Sequence, residues 1–389
     1  MSQENLPAKL PERQLLDFAW QRHNVYSKNA TRHRARFSLL RNLLLSLSVL
    51  VVVLSVTNAS INNLNLTAII DRPNNESLVT DAIVQTIQPL LKHLLIVLPI
   101  TISALLAFAI KFDRGNNWLL LRGSAEVLKS EIYCYRTRVR EYAGHRNEIL
   151  AHKIKIISER LRGSAVHQAS LNPYEEEKVS HHQIGWILQI IKFSIKIVNR
   201  LLHKIWNYCF KIEKSTKTKH YQDDGLSELT ADNYLRYRLE DQFFWYRNKT
   251  QKLDRKLQFL EGSIYFFGGL GTLVAALEWH SWVAVTVSLT GALSNYLDFQ
   301  RVEATLVGYN RAADSLYDIN TWWHSLSLEQ KKFPHNKEQL VVRTEAIIRS
   351  EHASWLQDMQ DRLAEMYGND DKEPFQELEQ NPEPAEPSN

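Results

Sequence analysis

Residues 42–60 read NLLLSLSVLVVVLSVTNAS, and residues 90–110 read LLKHLLIVLPITISALLAFAI. Two shorter apolar stretches follow late in the chain, GSIYFFGGLGTLVAAL over 262–277 and SWVAVTVSLTGALSNYL over 281–297. A helix needs about 20 apolar residues to cross a hydrocarbon core about 30 Å thick. The sequence therefore predicts an all-α integral membrane protein, with four transmembrane helices arranged as two tandem hairpins and joined to a cytoplasmic helical bundle.

The average composition conceals these stretches, since 23% charged residues and a slightly negative mean hydropathy are ordinary for a soluble protein. The second pair is short for a span, so one alternative is that it forms the core hairpin of a soluble bundle. Trp279 and Trp282 flank the tip of this hairpin, as aromatic residues do at membrane surfaces. We therefore predict spans in both pairs, with these two tryptophans at the membrane surface.

The distribution of basic residues predicts the orientation of the spans. Residues 1–41 carry eight Lys or Arg against three acids, whereas residues 57–89, predicted as an external loop, carry one Arg against three acids. The tip of the second hairpin, residues 278–282, has no Lys or Arg. Because cytoplasmic flanks are enriched in Lys and Arg, we predict a multi-pass protein of the cell membrane with both termini in the cytoplasm.

The two halves of the chain share a pattern, which indicates an internal repeat. Tyr26 is followed by basic and apolar residues that recur 220 positions later after Tyr246, whereas the pair Phe112 and Arg114 recurs 187 positions later as Phe299 and Arg301. The first copy is therefore longer, mainly in the external loop. The predicted organisation is a first two-span repeat at 1–165, a linker at 166–226, a second two-span repeat at 227–366 and an acidic, disordered tail at 367–389.

The linker contains an apolar segment at 184–212 with one basic stripe. Such a basic amphipathic helix is suited to lie on an anionic membrane surface; packing on the cytoplasmic helices is an equal alternative. The predicted membrane-surface residues of the stripe are Lys192, Lys196, Arg200 and Lys204.

Polar groups and prolines within membrane spans are candidates for a conduction or gating role, because they are costly there. Lys92 and His93 lie at the external edge of the second span, Pro99 lies inside it, and Asn295 lies near the inner end of the fourth. Snorkelling to the interface explains Lys92 equally well. Pro99 removes a helical hydrogen bond and can bend the span, with or without a role in gating.

Motifs for catalysis are missing from the sequence. It has no phosphate-binding loop, no zinc-protease helix, no nucleophile elbow and no paired cysteines at metal-binding spacing. We therefore expect no enzymatic activity, no catalytic residues, no cofactor and no metal site. The net charge of +4 follows from the bias toward basic residues on the inner side, so we expect no binding of nucleic acid.

The pattern Arg22-x-x-x-Tyr26-x-Lys28 before the first hairpin, echoed by Tyr246-x-x-Lys249 before the second, resembles the SLATT group of bacterial two-transmembrane effectors. The following helices support the resemblance through Ala125 and Leu128 in one copy and Ala313 and Leu316 in the other. The group is named for its association with SMODS-type nucleotide synthases and SLOG-type nucleotide sensors. The resemblance implies a membrane module that forms or gates a pore once a soluble, nucleotide-linked sensor protein is triggered.

Two functions follow as expectations. The first is a non-enzymatic, pore-forming or ion-conducting effector, a homo-oligomer in the lipid bilayer that is gated by its cytoplasmic helices. The second is a membrane scaffold or sensor that docks a soluble partner through the helices around Trp322, Trp323 and Trp355.

Overall fold

The structure is a computed structural model that describes residues 6–70, 78–112, 116–163 and 223–367. The predicted basic amphipathic helix at 184–212, with its four cationic residues, and the acidic tail beyond residue 367 lie outside the described residues. Every helix considered below belongs to one compact unit that combines residues 1–171 and 226–389.

Four helices make up the described part of the first half. They are α1 (Leu6–Ile70), α2 (Leu78–Phe112), α3 (Asn116–Thr137) and α4 (Arg146–Gly163). A short 3-10 turn, Arg140–Ala143, separates α3 from α4. This half therefore contains one long helical hairpin, α1 and α2, followed by two shorter helices.

The second half begins with a continuous helical stretch. It consists of α5 (Ala231–Tyr234), a π-helical segment (Leu235–Glu240) and α6 (Asp241–Ala276). Thr230 caps this stretch, because its side chain accepts a hydrogen bond from the Asn233 amide. The remaining helices are α7 (His280–Phe299), α8 (Val302–Ser325), α9 (Leu328–Lys332) and α10 (Pro334–Tyr367).

Three helical stretches of the described residues are long and apolar enough to cross a membrane. They are Glu12–Asn62 in α1, Ile87–Ala107 in α2 and Ala231–Ala276 across α5 and α6. The fourth predicted span, α7, is not among them. Its 20 residues include several Ser and Thr residues together with Asn295 and Asp298, which lower its apolar character.

Most of the segment that the sequence predicts as an external loop, residues 57–89, is helical in the structure. Helix α1 continues to Ile70, and α2 already begins at Leu78. Asn62 on α1 accepts a 2.5 Å hydrogen bond from Gln88 on α2, so the two helices also contact each other beyond the apolar stretch. The residues by which the predicted first repeat is longer therefore lengthen a helical hairpin.

The apolar helices lie side by side in the order α2, α1, α7, α6. Helix α1 packs on α2 on one side and on α7 on the other, and α7 packs on α6. A tight turn joins α6 to α7, with Glu278 at φ 62°. The first hairpin therefore contacts the second through α1 and α7.

The remaining helices form a bundle in which the two halves of the chain interlock. Helix α3 packs on α1 and α4 from its own half, and also on α10 from the other half. Fully buried side chains such as Leu128 on α3, Leu239 before α6, Leu316 on α8 and Leu340 on α10 share one core. We call this assembly the bundle: α3, α4, α8 and α10, with the parts of α1 and α6 that lie outside their apolar stretches.

Candidate functional site: the junction between the spans and the bundle

Aromatic and apolar side chains form a second buried cluster where the apolar helices enter the bundle. We call it the junction cluster; its members are Phe37, Trp118, Leu119, Phe299, Trp355, Leu356 and Met359. The cluster combines residues from α1, α3, α7 and α10. Since Phe299 ends α7 and Trp118 lies in the first turn of α3, the cluster connects the bundle-side ends of the apolar helices with α10.

Two arginines of α1 lie against this cluster. The Arg34 Cζ atom is 5.5 Å from the centre of the Trp118 ring and 5.6 Å from that of Trp355. The Arg41 Cζ atom is 3.0 Å from the centre of the Phe299 ring. Guanidinium groups stack favourably on aromatic faces, so the arginines hold α1 against α3, α10 and α7.

Asn295 is the one predicted gating residue that lies at this junction. Its side-chain oxygen accepts a 2.9 Å hydrogen bond from Arg41 Nη2. The bond joins α1 to α7, two helices from different halves of the chain. Asn295 is therefore part of the contact between the hairpins.

The other three predicted gating residues lie elsewhere. Lys92, His93 and Pro99 are exposed on α2, away from Asn295, and α2 packs chiefly on α1. Helix α2 continues through Pro99 to Phe112. The structure thus does not bring these residues together with Asn295 within one chain.

The two tyrosines of the repeat pattern are buried, and each contacts the last helix of its own half. Tyr26 Oη lies 3.3 Å from the Ser158 hydroxyl on α4, to which Arg22 also donates a hydrogen bond. Tyr246 donates a 2.9 Å hydrogen bond to Glu351 on α10. The tyrosines therefore fasten the membrane-entering helices to the bundle.

The two lysines of the pattern have a different position. Lys28 and Lys249 are exposed, and the Lys249 ammonium lies 5.5 Å from the centre of the Trp245 ring. Each lysine therefore lies on the solvent-exposed surface of its helix, Lys28 on α1 and Lys249 on α6.

A buried ion pair connects the start of the second half to α10. Arg238 donates two hydrogen bonds to Glu345, of 2.8 and 2.9 Å, and Tyr234 donates a third of 2.9 Å. Both charged residues are almost completely buried. Burial alone would raise the pKa of Glu345, but the Arg238 charge and the hydrogen bonds from Arg238, Tyr234 and Ser130 together outweigh it, so the pKa is lowered.

The sequence prediction did not include this pair. The four-residue spacing of Tyr234 and Arg238 puts both on one helical face. Glu345 interrupts an apolar stripe on α10 formed by Leu340, Val341 and Ile348. A charged residue within such a stripe was the available signal, although it does not identify the partner.

Further charged groups lie in the bundle between α3 and α10. Burial would raise the pKa of Glu126, but the positive charges of Arg122 and other basic neighbours lower it to about 2. Burial raises the pKa of Glu351 to about 7, against the opposing effect of its hydrogen bond from Tyr246. Burial also lowers the pKa of His352 to about 4. Glu351 is therefore a buried carboxyl group that titrates near neutral pH.

A polar cleft of about 370 Å³ opens at the far end of α3, beside the 3-10 turn. Arg146, which lines it, donates a 2.5 Å hydrogen bond to Glu12 on α1 and forms an ion pair of 2.8 Å with Glu228. Arg138 also pairs with Glu228. These arginines therefore connect α1, α4 and the segment before α5.

The tryptophans fall into two groups. Trp279 and Trp282 are exposed at the turn between α6 and α7, the position expected of membrane-surface residues. Trp323 is buried, and Trp355 belongs to the junction cluster. The helices around Trp323 and Trp355 therefore use these side chains for internal packing.

Cys134 is buried and not in a disulfide, and burial raises the pKa of its thiol. Among the described residues, no group of His, Cys, Asp and Glu side chains has the geometry to hold a metal ion.

Comparison with protein families assigns each half of the chain separately. Residues 21–149, which cover the first hairpin, match a protein family of unknown function (DUF4231). Residues 234–355, which cover α6, α7, α8 and most of α10, match the SMODS and SLOG-associating 2TM effector domain 1. Comparisons with curated proteins and with solved structures found no match. The predicted resemblance is thus confirmed for the second half, where residues 234–355 are similar to this effector domain.

Proposed function

We propose that this chain is a non-enzymatic membrane effector whose oligomer forms an ion-conducting pore, controlled by the bundle through the junction cluster. The observation that carries the proposal is the match of residues 234–355 to a two-transmembrane effector domain. The junction cluster supplies the physical connection between the bundle and the apolar helices.

Control of the pore follows from the packing of α10. Trp355, Leu356 and Met359 all lie on this helix and belong to the junction cluster with residues of α1, α3 and α7. The same helix is held near its middle by Arg238 and Tyr246. A movement of α10 therefore moves the membrane ends of α1 and α7, because tightly packed side chains transmit displacement.

Several chains are needed for a pore. The four apolar helices of one chain lie in a row, and a row encloses no water path. In an oligomer, the rows of several chains join into a closed ring. Helix α7 is then the fourth membrane span of each chain, and the turn with Trp279 and Trp282 lies on the external side of the membrane. Both termini and the bundle then lie in the cytoplasm, as the basic flanks favour.

The trigger that we propose is a soluble, nucleotide-linked sensor protein. The name of the matched domain describes association with SMODS and SLOG proteins. The bundle is the part of the chain available to such a protein on the cytoplasmic side.

Ion flux from liposomes tests the proposal. With no sensor bound, the purified chain in liposomes is expected to pass trapped ions at a low basal rate, read with an ion-sensitive dye. Trp355→Ala or Phe299→Ala is expected to change that rate, since both remove junction contacts. Val307→Ala is the matched control, because Val307 on α8 is 50% exposed. Absence of flux from the wild type and from both junction variants, under any voltage or ion gradient, would contradict a pore.

A scaffold that docks a soluble partner is a second candidate. Leu328 is 80% exposed and Phe333 57% exposed, and both lie at α9. Helix α8 separates α9 from the junction by 24 residues, on the order of 36 Å. This membrane-distal apolar pair fits a protein contact. Affinity purification from native membranes distinguishes the candidates: a scaffold recovers a stoichiometric partner that Leu328→Asp loses, whereas a self-contained pore recovers itself.

A further inference from the structure

The two ends of the helix row carry open apolar faces. On α2, Leu90, Ile96 and Ile100 are each at least 60% exposed. On α6, Tyr265 is 76% exposed and Phe266 is 63% exposed. In the apolar layer α2 packs chiefly on α1, and α6 on α7. Lipid or another protein must cover these outer faces.

The contact inside the chain shows how one hairpin packs on another. It joins α1, the first helix of the first hairpin, to α7, the second helix of the second hairpin. By the sequence correspondence, α6 is the counterpart of α1, and α2 is the counterpart of α7. A contact of the same kind between two chains therefore joins α6 of one copy to α2 of the next. Such a head-to-tail contact leaves the same two faces open again, so it can continue and close into a ring.

Charges at the membrane ends of these helices fit that arrangement. Inside the chain, Arg41 on α1 bonds Asn295 on α7, and Asp298 follows on the same helix. Glu261 on α6 occupies the position that corresponds to Arg41, and Lys111 on α2 that of Asp298. The signs of the two charges are exchanged. The joined ends of α6 and α2 therefore carry opposite charges, as Arg41 and Asp298 do inside the chain.

Glycines on α6 add a second, independent observation. Gly271 contacts α7 closely, because a Cβ atom built there lies 2.7 Å from Thr286 Oγ1. Gly262 and Gly269 are exposed, and a Cβ atom built at either meets nothing within 4 Å. Small residues in membrane helices permit close approach of another helix. The outer face of α6 therefore has room for one.

We propose that a second copy of this chain packs its α2 on the outer face of α6, with Lys111 of one copy beside Glu261 of the other. This inference rests on the proposed function, since the resulting ring is the oligomer that forms the pore. It adds the interface from which that oligomer is built.

Cysteine cross-linking of the full chain in liposomes tests the interface. Arg41 and Asn295 are in contact, and their counterparts by sequence position are Glu261 and Phe108. In a chain with Cys134→Ala and Cys209→Ala, the pair E261C and F108C is expected to form disulfides between copies and give a ladder of multiples on non-reducing gels. The matched pair R41C and N295C is expected to close within one chain, with no gain in mass.

Charge exchange provides a second readout that does not depend on cysteines. E261K or K111E alone is expected to lower the oligomeric fraction several-fold in native mass spectrometry from lipid nanodiscs, and the double variant E261K with K111E is expected to restore it. E278K, at the exposed turn, is the control and leaves the mass unchanged. Cross-linked multiples without ion flux would contradict the proposed pore but support the proposed interface between α6 and α2. Flux without a ladder, and with both single variants unchanged in mass, would overturn the interface.

Discussion

At the scale of single residues, Arg238 and Glu345 determine how the second half of the chain is fixed to α10. Both are buried, and Glu345 accepts hydrogen bonds from Arg238 and Tyr234. The two partners lie 107 positions apart, so sequence periodicity cannot pair them. Removing one buried charge leaves the other without compensation.

The ion pair therefore gives a sharp prediction. Glu345→Leu is expected to lower the free energy of unfolding by about 3–5 kcal/mol, because Arg238 stays buried and unpaired. The double variant Arg238→Met with Glu345→Leu is expected to recover most of that loss. Thermal unfolding in detergent, followed by circular dichroism, measures both. Equal losses in the single and double variants would show that the pair does not act as a unit.

The raised pKa of Glu351 predicts how the free energy of unfolding depends on pH. Its folded-state pKa of about 7 lies above the ordinary 4.5, so the folded chain retains a proton that the unfolded chain has released between these values. The free energy of unfolding therefore falls as pH rises from 4.5 to 7, by about 3 kcal/mol in total, and changes no further above pH 7. The groups that surround Glu351 are Tyr246 on α6, Tyr309 on α8, Arg122 and Glu126 on α3 and His352 on α10.

A variant with an uncharged side chain at position 351 tests whether Glu351 causes this pH dependence. Glu351→Gln is expected to flatten the stability profile between pH 5 and pH 7 and to raise the melting temperature at pH 8, since its amide does not ionise. Glu303→Gln, exposed on α8, is the control and retains the wild-type slope. An unchanged slope in Glu351→Gln would assign the pH dependence to another group.

At the scale of helices, the first hairpin shows where sequence reasoning succeeds and fails. The apolar residues from Leu16 to Tyr26 repeat at helical spacing, and the structure has one continuous helix from there into the first apolar stretch. The helical extension to Ile70 was not predicted. Hydropathy marks where apolar character ends, but a polar helix can continue where it has a neighbouring helix to pack on, as Asn62 and Gln88 show.

The second hairpin depends on one close contact. A Cβ atom at Gly271 lies 2.7 Å from Thr286 Oγ1, and that hydroxyl donates a 2.9 Å hydrogen bond to the Val283 carbonyl. Gly271→Ala therefore forces α6 away from α7 or costs the Thr286 hydrogen bond, an expected loss of about 1–3 kcal/mol.

Gly291→Ala on α7 is the matched control for this prediction. Its Cβ atom meets nothing within 4 Å, and alanine in a helix is favoured over glycine by about 0.5–1 kcal/mol. Thermal unfolding in detergent should therefore show opposite signs for the two variants. A stabilising effect of Gly271→Ala would mean that the helices are packed less closely than the structure has them.

At the scale of the whole molecule, the sequence allowed prediction of the helical class, of three helices apolar enough to span a membrane and of the family match in the second half. Tyr26 and Tyr246 were identified as corresponding anchors, and both are buried against the bundle. The order of the four apolar helices and the interlocking of α3 with α10 were not predicted. Such arrangements depend on contacts between distant segments, which periodicity along one helix does not specify. The proposed crossing of the membrane by α7 likewise depends on the helices that pack around it, because its own sequence is only moderately apolar.

The proposed function requires that the four apolar helices lie in lipid and that several chains enclose a water path. Cryo-electron microscopy of the full chain in lipid nanodiscs tests it most directly. We predict a closed ring in which α6 of one copy contacts α2 of the next, with α7 inside the lipid layer and a continuous axial path through it. A single copy with the α6 and α7 hairpin outside the lipid, or a ring without such a path, would contradict the account.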